Sequence, residues 1–152
     1  MSEKINVLLA VKDILLQYEC DIRKLMEYSY IINFNDVENA ISVQKERFQK
    51  LLEYYDEGKA NVVLAFVNGA FAGYAWFFQI SQDRVHLNEI AVVKEFHSKG
   101  IGRQLIEFVE IYAKEHHISK VELYCMEVND QANRFYNRNG YKTEKRLFVK
   151  DI

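Results

Sequence analysis

A chain of 152 residues is the size of one domain, taken here as residues 1–152, and it is long enough to bury roughly 70% of its unfolded surface. Its residues are 49% hydrophobic and 28% charged, an ordinary globular balance with no sign of disorder. The net charge of −2 and the isoelectric point near 6.1 speak against a general nucleic-acid binder. No apolar run approaches 18 residues and the start, MSEKINV, has no signal-peptide core, so neither membrane insertion nor secretion is expected. Two distant cysteines, Cys20 and Cys125, read as buried free thiols in a reducing cytoplasm.

Ile5 to Val11 alternates Ile5, Val7, Leu9 and Val11 and reads as a strand. From Asp13 the period becomes helical, with Ile14, Leu15, Tyr18, Ile22, Leu25 and Met26 on one face. That stripe stops at Ser29, which puts the helix end between Ser29 and Phe34. A second helix is expected from Asn35 or Asp36, with Glu38 at capping-box spacing from Asn35 and a stripe of Val37, Ala40, Ile41, Phe48, Leu51, Leu52 and Tyr55. Gly58 stands where it ends.

Asn61 to Val67 is a strand, and Asn68-Gly69 is the strongest short hairpin signal, because both central residues of a type I′ turn need positive φ. The return strand, Ala70 to Ile80, puts Phe71, Ala75 and Phe77 on one face and Tyr74, Trp76 and Phe78 on the other. It therefore reads as a central strand covered on both sides.

Val85 to Val93 is a further apolar strand. A short polar turn, then Gly100 and Gly102, lead into a helix from Ile101 to about Glu115. The first helical turn leaves backbone N–H groups unpaired, and the macrodipole there favours negative charge. No acidic residue lies between Phe96 and Ile106, but Lys99 and Arg103 do. Such a start suits an anion, above all a phosphate. A dinucleotide fingerprint would need glycine at Leu105, and a Walker loop would need Gly-Lys-Ser/Thr. Another strand follows over Lys120 to Glu127, then a short helix over Asp130 to Asn139 closed by Gly140, then an extended Tyr141 to Ile152, as one strand or two. The order is β-α-α-β-β-β-α-β-α-β, a mixed α/β domain.

His97-Ser98-Lys99-Gly100-Ile101-Gly102, following LNEIAVVKEF, resembles the acyl-CoA signature of the GNAT superfamily of N-acetyltransferases, with His97 where glutamine or arginine is usual. Val128 to Tyr141 resembles the second signature of that family, with Asn129, Ala132, Tyr136, Gly140 and Tyr141 in place. On the residues alone, Tyr136 faces inward as a core tyrosine would, Asn129 is a helix N-cap and Gly140 a C-cap. The resemblance runs from about Asn61 onward.

The resemblance implies a mixed, mostly antiparallel sheet flanked by helices, whose fourth and fifth strands splay apart around the pantetheine arm of acetyl-CoA. It implies that backbone groups of Ile90, Ala91 and Val92 pair with that arm, and that the segment His97, Ser98, Lys99, Gly100, Ile101, Gly102 and Arg103 takes the pyrophosphate. Asn129 and Asn133 would reach the pantetheine side. Glu89 stands where the family often places a general base, with Glu127 or a water chain as alternatives; read without the family, Glu89 is a solvated charge on a partly covered sheet face. Tyr136 is the implied acid for the departing thiolate.

The acceptor implied is a small-molecule or peptide amine, without nucleic acid or membrane as partner and with a homodimer left open. The aromatic segment Tyr28 to Asp36, with Tyr30 and Phe34, lies where the family builds its acceptor site. Residues 1–60 hold eleven acidic and eight basic residues, a hint of a cationic acceptor. His116-His117 has no third ligand at matching spacing, so no metal is expected, and Cys125 reads as a core thiol. Two functions of different class follow: an N-acetyltransferase, or a CoA-binding regulatory domain without turnover. A phosphate-binding module unrelated to CoA would leave the second signature to chance.

Overall fold

The computed structural model describes residues 2–152. Its elements in chain order are β1 (Ile5–Leu9), α1 (Lys12–Gln17), α2 (Glu19–Phe34), α3 (Ala40–Asp56), β2 (Asn61–Val67), β3 (Ala70–Ser81), β4 (Arg84–Val92), a single 3-10 turn (Lys94–Phe96), α4 (Ile101–Glu115), β5 (Lys120–Leu123) and α5 (Asp130–Arg138). The five strands form one sheet in sequence order. β1 to β4 pair antiparallel and β5 joins β4 in parallel, the mixed architecture expected.

Apolar residues on both faces of β2 and β3 produce two cores. Val63, Ala65, Phe77, Val85 and Leu87 meet Leu105, Ile106 and Val109 of α4 on one face. Val62, Leu64, Tyr74 and Trp76 meet Leu15, Ile22, Met26, Phe48 and Leu51 of α1, α2 and α3 on the other. Each large apolar side chain so buried contributes about 1.5–3 kcal/mol. Asn68 and Gly69 take φ of 48° and 83°, the hairpin geometry that the dipeptide announced.

The first expected helix is two, α1 and α2, broken at Tyr18, where the backbone leaves helical geometry (φ −103°, ψ 16°). The Tyr18 ring packs at 5.1 Å from Phe66 and 5.7 Å from Phe71, so tertiary packing cuts a stripe that is continuous in sequence. α3 begins at Ala40, not at Asn35 or Asp36. Asn35 is left-handed (φ 51°) and ends α2, while the Asp36 carboxylate accepts from the Asn39 N–H at 3.2 Å and the Tyr30 hydroxyl at 2.7 Å. Glu38 therefore makes no capping box, and Val37 and Ile41, placed in the stripe, are exposed. Phe71 packs with Tyr74 and Trp76 and not with Ala75 and Phe77. An irregularity in pairing at Ala65/Phe66 shifts its parity.

Two departures lie at the carboxyl-terminal end. β5 stops at Leu123 and does not continue to Glu127. Tyr141 to Ile152 runs without sheet pairing, so the expected last strand is absent and Leu147, Phe148 and Val149 are exposed. Its first turn is held by Arg84, whose Nη1 donates to Glu122 at 3.2 Å and to Glu144 at 2.9 Å.

Candidate active site

β4 and β5 pair only from Arg84–Lys120 to Leu87–Leu123. Beyond that point β4 continues to Val92, still paired to β3 but with no strand on its other side. The cause is local. Trp76 faces Glu89 while Phe77 faces Leu87, so Asn88 is an extra residue on β4, a bulge at the place where the two strands part. Bulges bend and twist the strand that carries them. This one leaves Ile90, Ala91 and Val92 at an open strand edge, between β4 and the chain that follows β5.

The same bulge re-aims Glu89. Strict alternation would put Glu89 on the face of Leu87, against α4. One extra residue turns it to the opposite face, beside Tyr74 and Trp76 and beneath α2 and α3. There the Tyr74 hydroxyl donates to its carboxylate. The residue keeps some exposed surface, but the carboxyl group is enclosed, and burial raises it above the ordinary carboxylate value. The Tyr74 hydrogen bond and the positive charge of Arg47 oppose that shift without cancelling it. The reading of Glu89 as a solvated surface charge is thereby corrected.

At the end of β4 the chain passes through the 3-10 turn into the loop before α4. Ser98 and Gly100 are left-handed (φ 63° and 81°), a backbone form that occurs where successive amides line a concave anion site. The N–H groups of Ser98, Lys99, Gly100, Ile101, Gly102 and Arg103 find no acceptor among the described residues; the first amide to do so is Gln104, on Gly100 at 3.1 Å. His97 supplies no ligand-directed group in this state. Its Nε2 lies 2.9 Å from the Val92 carbonyl, which a ring N–H satisfies, and so ties the loop to the strand end. Lys99 is paired with Glu3 at 2.6 Å and Arg103 with Glu107 at 2.9 Å. A side chain at Gly102 would meet the Phe135 ring at 3.3 Å, so this glycine also lets α4 and α5 approach closely. Six unsatisfied amides at a helix start, beside an open strand edge, fit a diphosphate with an extended arm.

Tyr136 lies on α5 among Phe135 and Tyr141, with ring centroids at 5.3 and 6.1 Å. Burial raises its hydroxyl well above the ordinary tyrosine value, and the neighbouring Cys125 adds to the shift. That hydroxyl has no hydrogen-bond partner among the described residues, so it is not spent on the core.

The profile of the Acetyltransferase (GNAT) family matches residues 25–141. The chain belongs to the GNAT acetyltransferase family. It is 26% identical over 114 residues to an uncharacterized N-acetyltransferase of Archaeoglobus fulgidus, a match spanning 70% of this chain and 78% of that protein. Two solved structures share the fold. The PaiA N-acetyltransferase of Thermoplasma acidophilum, in complex with coenzyme A, superposes with a TM-score of 0.76 at 19% identity, over 95% of this chain and 93% of that one. An aminoglycoside acetyltransferase from an uncultured soil metagenomic sample, in complex with trehalose, gives 0.71 at 18% identity, over 97% and 95%.

Within this GNAT fold the two asparagines of the second signature are occupied by the chain itself. Asn129 caps α5, its Oδ1 accepting from the Ala132 N–H at 3.1 Å, and its Nδ2 donates to Asn33 of α2 at 2.9 Å. Asn133 Nδ2 donates to the carbonyls of Met126, Glu127 and Asn129 at 3.1, 3.3 and 2.9 Å. Both hold the segment between β5 and α5 in place. Glu127 is exposed on that segment. Cys20 is exposed and not buried; Cys125 is half-buried, and burial raises its thiol. His116 stacks on Tyr112 at 3.9 Å, and among the described residues no three possible metal ligands come together. No helix is long and apolar enough to cross a membrane.

On the α2/α3 side of the sheet, Tyr30 and Phe34 stack at 4.9 Å, with Phe34 exposed. The Arg47 guanidinium sits 5.5 Å from the centroid of the Tyr30 ring. Its charge acts on Tyr30, Tyr74 and Glu89 alike. Sequence reasoning missed Arg47, Tyr74 and Trp76, because only strand register and helix docking bring them to Glu89.

Proposed function

We propose that this chain is an acetyl-CoA-dependent N-acetyltransferase that passes an acetyl group to a primary amine by direct attack in a ternary complex. Bound acetyl-CoA would supply the acetyl group as an activated thioester. The observation that carries this reading is the row of unsatisfied amides from Ser98 to Arg103 beside the open edge of β4. Those amides would take the pyrophosphate, and Ile90 to Val92 the extended arm. Asn129 and Asn133 act here by fixing the opposite wall of the gap.

An amine with a pKa near 10.4 is only roughly 0.04% neutral at pH 7, and deprotonating it costs about 4.6 kcal/mol. Glu89 is the base in this reading. Its enclosure brings its pKa closer to the working pH, which is the direction a general base needs. Tyr136 gives a proton to the leaving sulfur. Burial makes Tyr136 a weaker acid, and a thiolate leaving in the same surroundings becomes a stronger base as well, the direction in which burial moves the Cys125 thiol of this chain. Direct transfer needs no acylated Cys125. The deciding experiment measures thiol release from acetyl-CoA with a panel of primary amines. Amine-dependent release supports the transferase. Tight CoA binding without release by any amine would leave a cofactor-binding domain without turnover.

A further inference from the structure

Three arginines are partly buried: Arg23, Arg47 and Arg84. Arg23 is paired with Glu19 at 3.0 Å, and Arg84 with Glu122 and Glu144 at 3.2 and 2.9 Å. Arg47 has no carboxylate within 4.0 Å among the described residues. Two acids on its side of the sheet are engaged elsewhere, Glu89 by Tyr74 and Asp36 by Tyr30 and Asn39. A partly buried arginine that serves structure is commonly held by a carboxylate or by several acceptors. Arg47 is held only by the face of Tyr30, which leaves the donor edge of the guanidinium free. Trp76, fully buried and paired across the sheet with Glu89, turns its indole N–H toward that carboxyl, so it is no free donor and Arg47 stands alone in this respect.

On the face of the proposed base, Glu89, there is then one cationic donor, Arg47, that lacks an oxygen partner. We propose that the acceptor is an amine that also carries a carboxylate, as a free amino acid does, with the carboxylate held by Arg47 and the amine left facing Glu89. This rests on the amine-acetylating reading given above. Lys50, whose Nζ stands 5.6 Å over the Tyr54 ring, adds positive charge felt at Glu89. A second cationic group on the acceptor would be repelled there. The acidic excess of residues 1–60 pointed to a cationic acceptor; of those acids, Glu38, Glu46, Glu53 and Glu57 are exposed to solvent.

The test is calorimetric titration of CoA-saturated protein with an α-amino acid, its carboxamide and a diamine, followed by turnover with the same three amines. A bidentate charge-assisted contact of this kind predicts roughly 10–100-fold tighter binding of the amino acid than of its carboxamide. That ratio should collapse toward one in Arg47→Ala and recover in part in Arg47→Lys, whose charge lacks the bidentate fork. Equal affinities for acid and carboxamide, preference for the diamine, or an unchanged ratio in Arg47→Ala would each overturn the assignment. Amino-acid binding that depends on Arg47 without turnover would uphold it and sink the transferase reading instead, so the two fail separately.

Discussion

Glu89 shows how one backbone irregularity sets the chemistry of one side chain. Its carboxyl group is raised above the ordinary value of 4.5 by enclosure, so the acid limb of kcat/KM should lie above the usual carboxylate range. Glu89→Gln should remove that limb and lower turnover roughly 10²–10⁴-fold near neutral pH, with the deficit shrinking as pH approaches the amine's own pKa. A profile parallel to wild type at every pH would move the base elsewhere. Stability should respond with the opposite sense. Between pH 4.5 and the raised value the folded state keeps a proton that the unfolded state has lost, so this group's contribution is full below 4.5 and fades as pH rises. Thermal melts of Glu89→Gln should accordingly gain on wild type at pH 7 relative to pH 4. Tyr136→Phe removes a proton donor that no other residue uses, so it should slow turnover with little relief at high pH. That Glu89 stands on a strand was legible in the sequence, and its environment was not: the face it occupies depends on the bulge at Asn88, which alternation in a single strand cannot reveal.

At the scale of elements, the gap between β4 and β5 depends on how closely β3 can approach β4. A side chain at Gly73 would come within 2.6 Å of the Ala91 carbonyl oxygen, a backbone atom that cannot swing aside. Gly73→Ala should therefore destabilise the fold by about 1–3 kcal/mol and weaken CoA binding by displacing Ile90 to Val92. Unchanged melting and unchanged affinity would show that this spacing does not matter. The elements whose patterns were complete in themselves were readable in advance: β2, the Asn68-Gly69 hairpin, and α4, whose bounds Ile101–Glu115 follow from its glycines and stripe. Those fixed by partners were not. Tyr18 breaks a continuous stripe because Phe66 and Phe71 hold its ring, and Asp36 delays α3 because its carboxylate is taken by Tyr30 and Asn39. Residues 124–127 looked like strand, yet β4 has already bent away and offers them no ladder. Gly102 read as a glycine for phosphate approach alone. Its contact with Phe135 means that Gly102→Val would disturb the packing of α4 on α5 as well.

For the whole molecule, the sheet separates two faces of different chemistry. α4 and its loop on one face present unsatisfied amides, α2 and α3 on the other face present Tyr30 and Arg47, and β4 runs unpaired by β5 beyond Leu87 at the border of the two. The acceptor side was the less legible, because its charges come from helix faces whose docking the sequence does not specify. One ligand, CoA, is expected to join the open edge of β4 to the start of α4. Hydrogen exchange resolved to single residues, with and without CoA, tests it most directly. Free protein should exchange fast at Ser98 to Arg103, since none of these amides has a protein acceptor. CoA at saturation should protect those six amides together with amides of Ile90 to Val92, and leave β1 and β2 unchanged. Binding of CoA without protection at Ser98 to Arg103, or protection confined to another part of the molecule, would contradict the account.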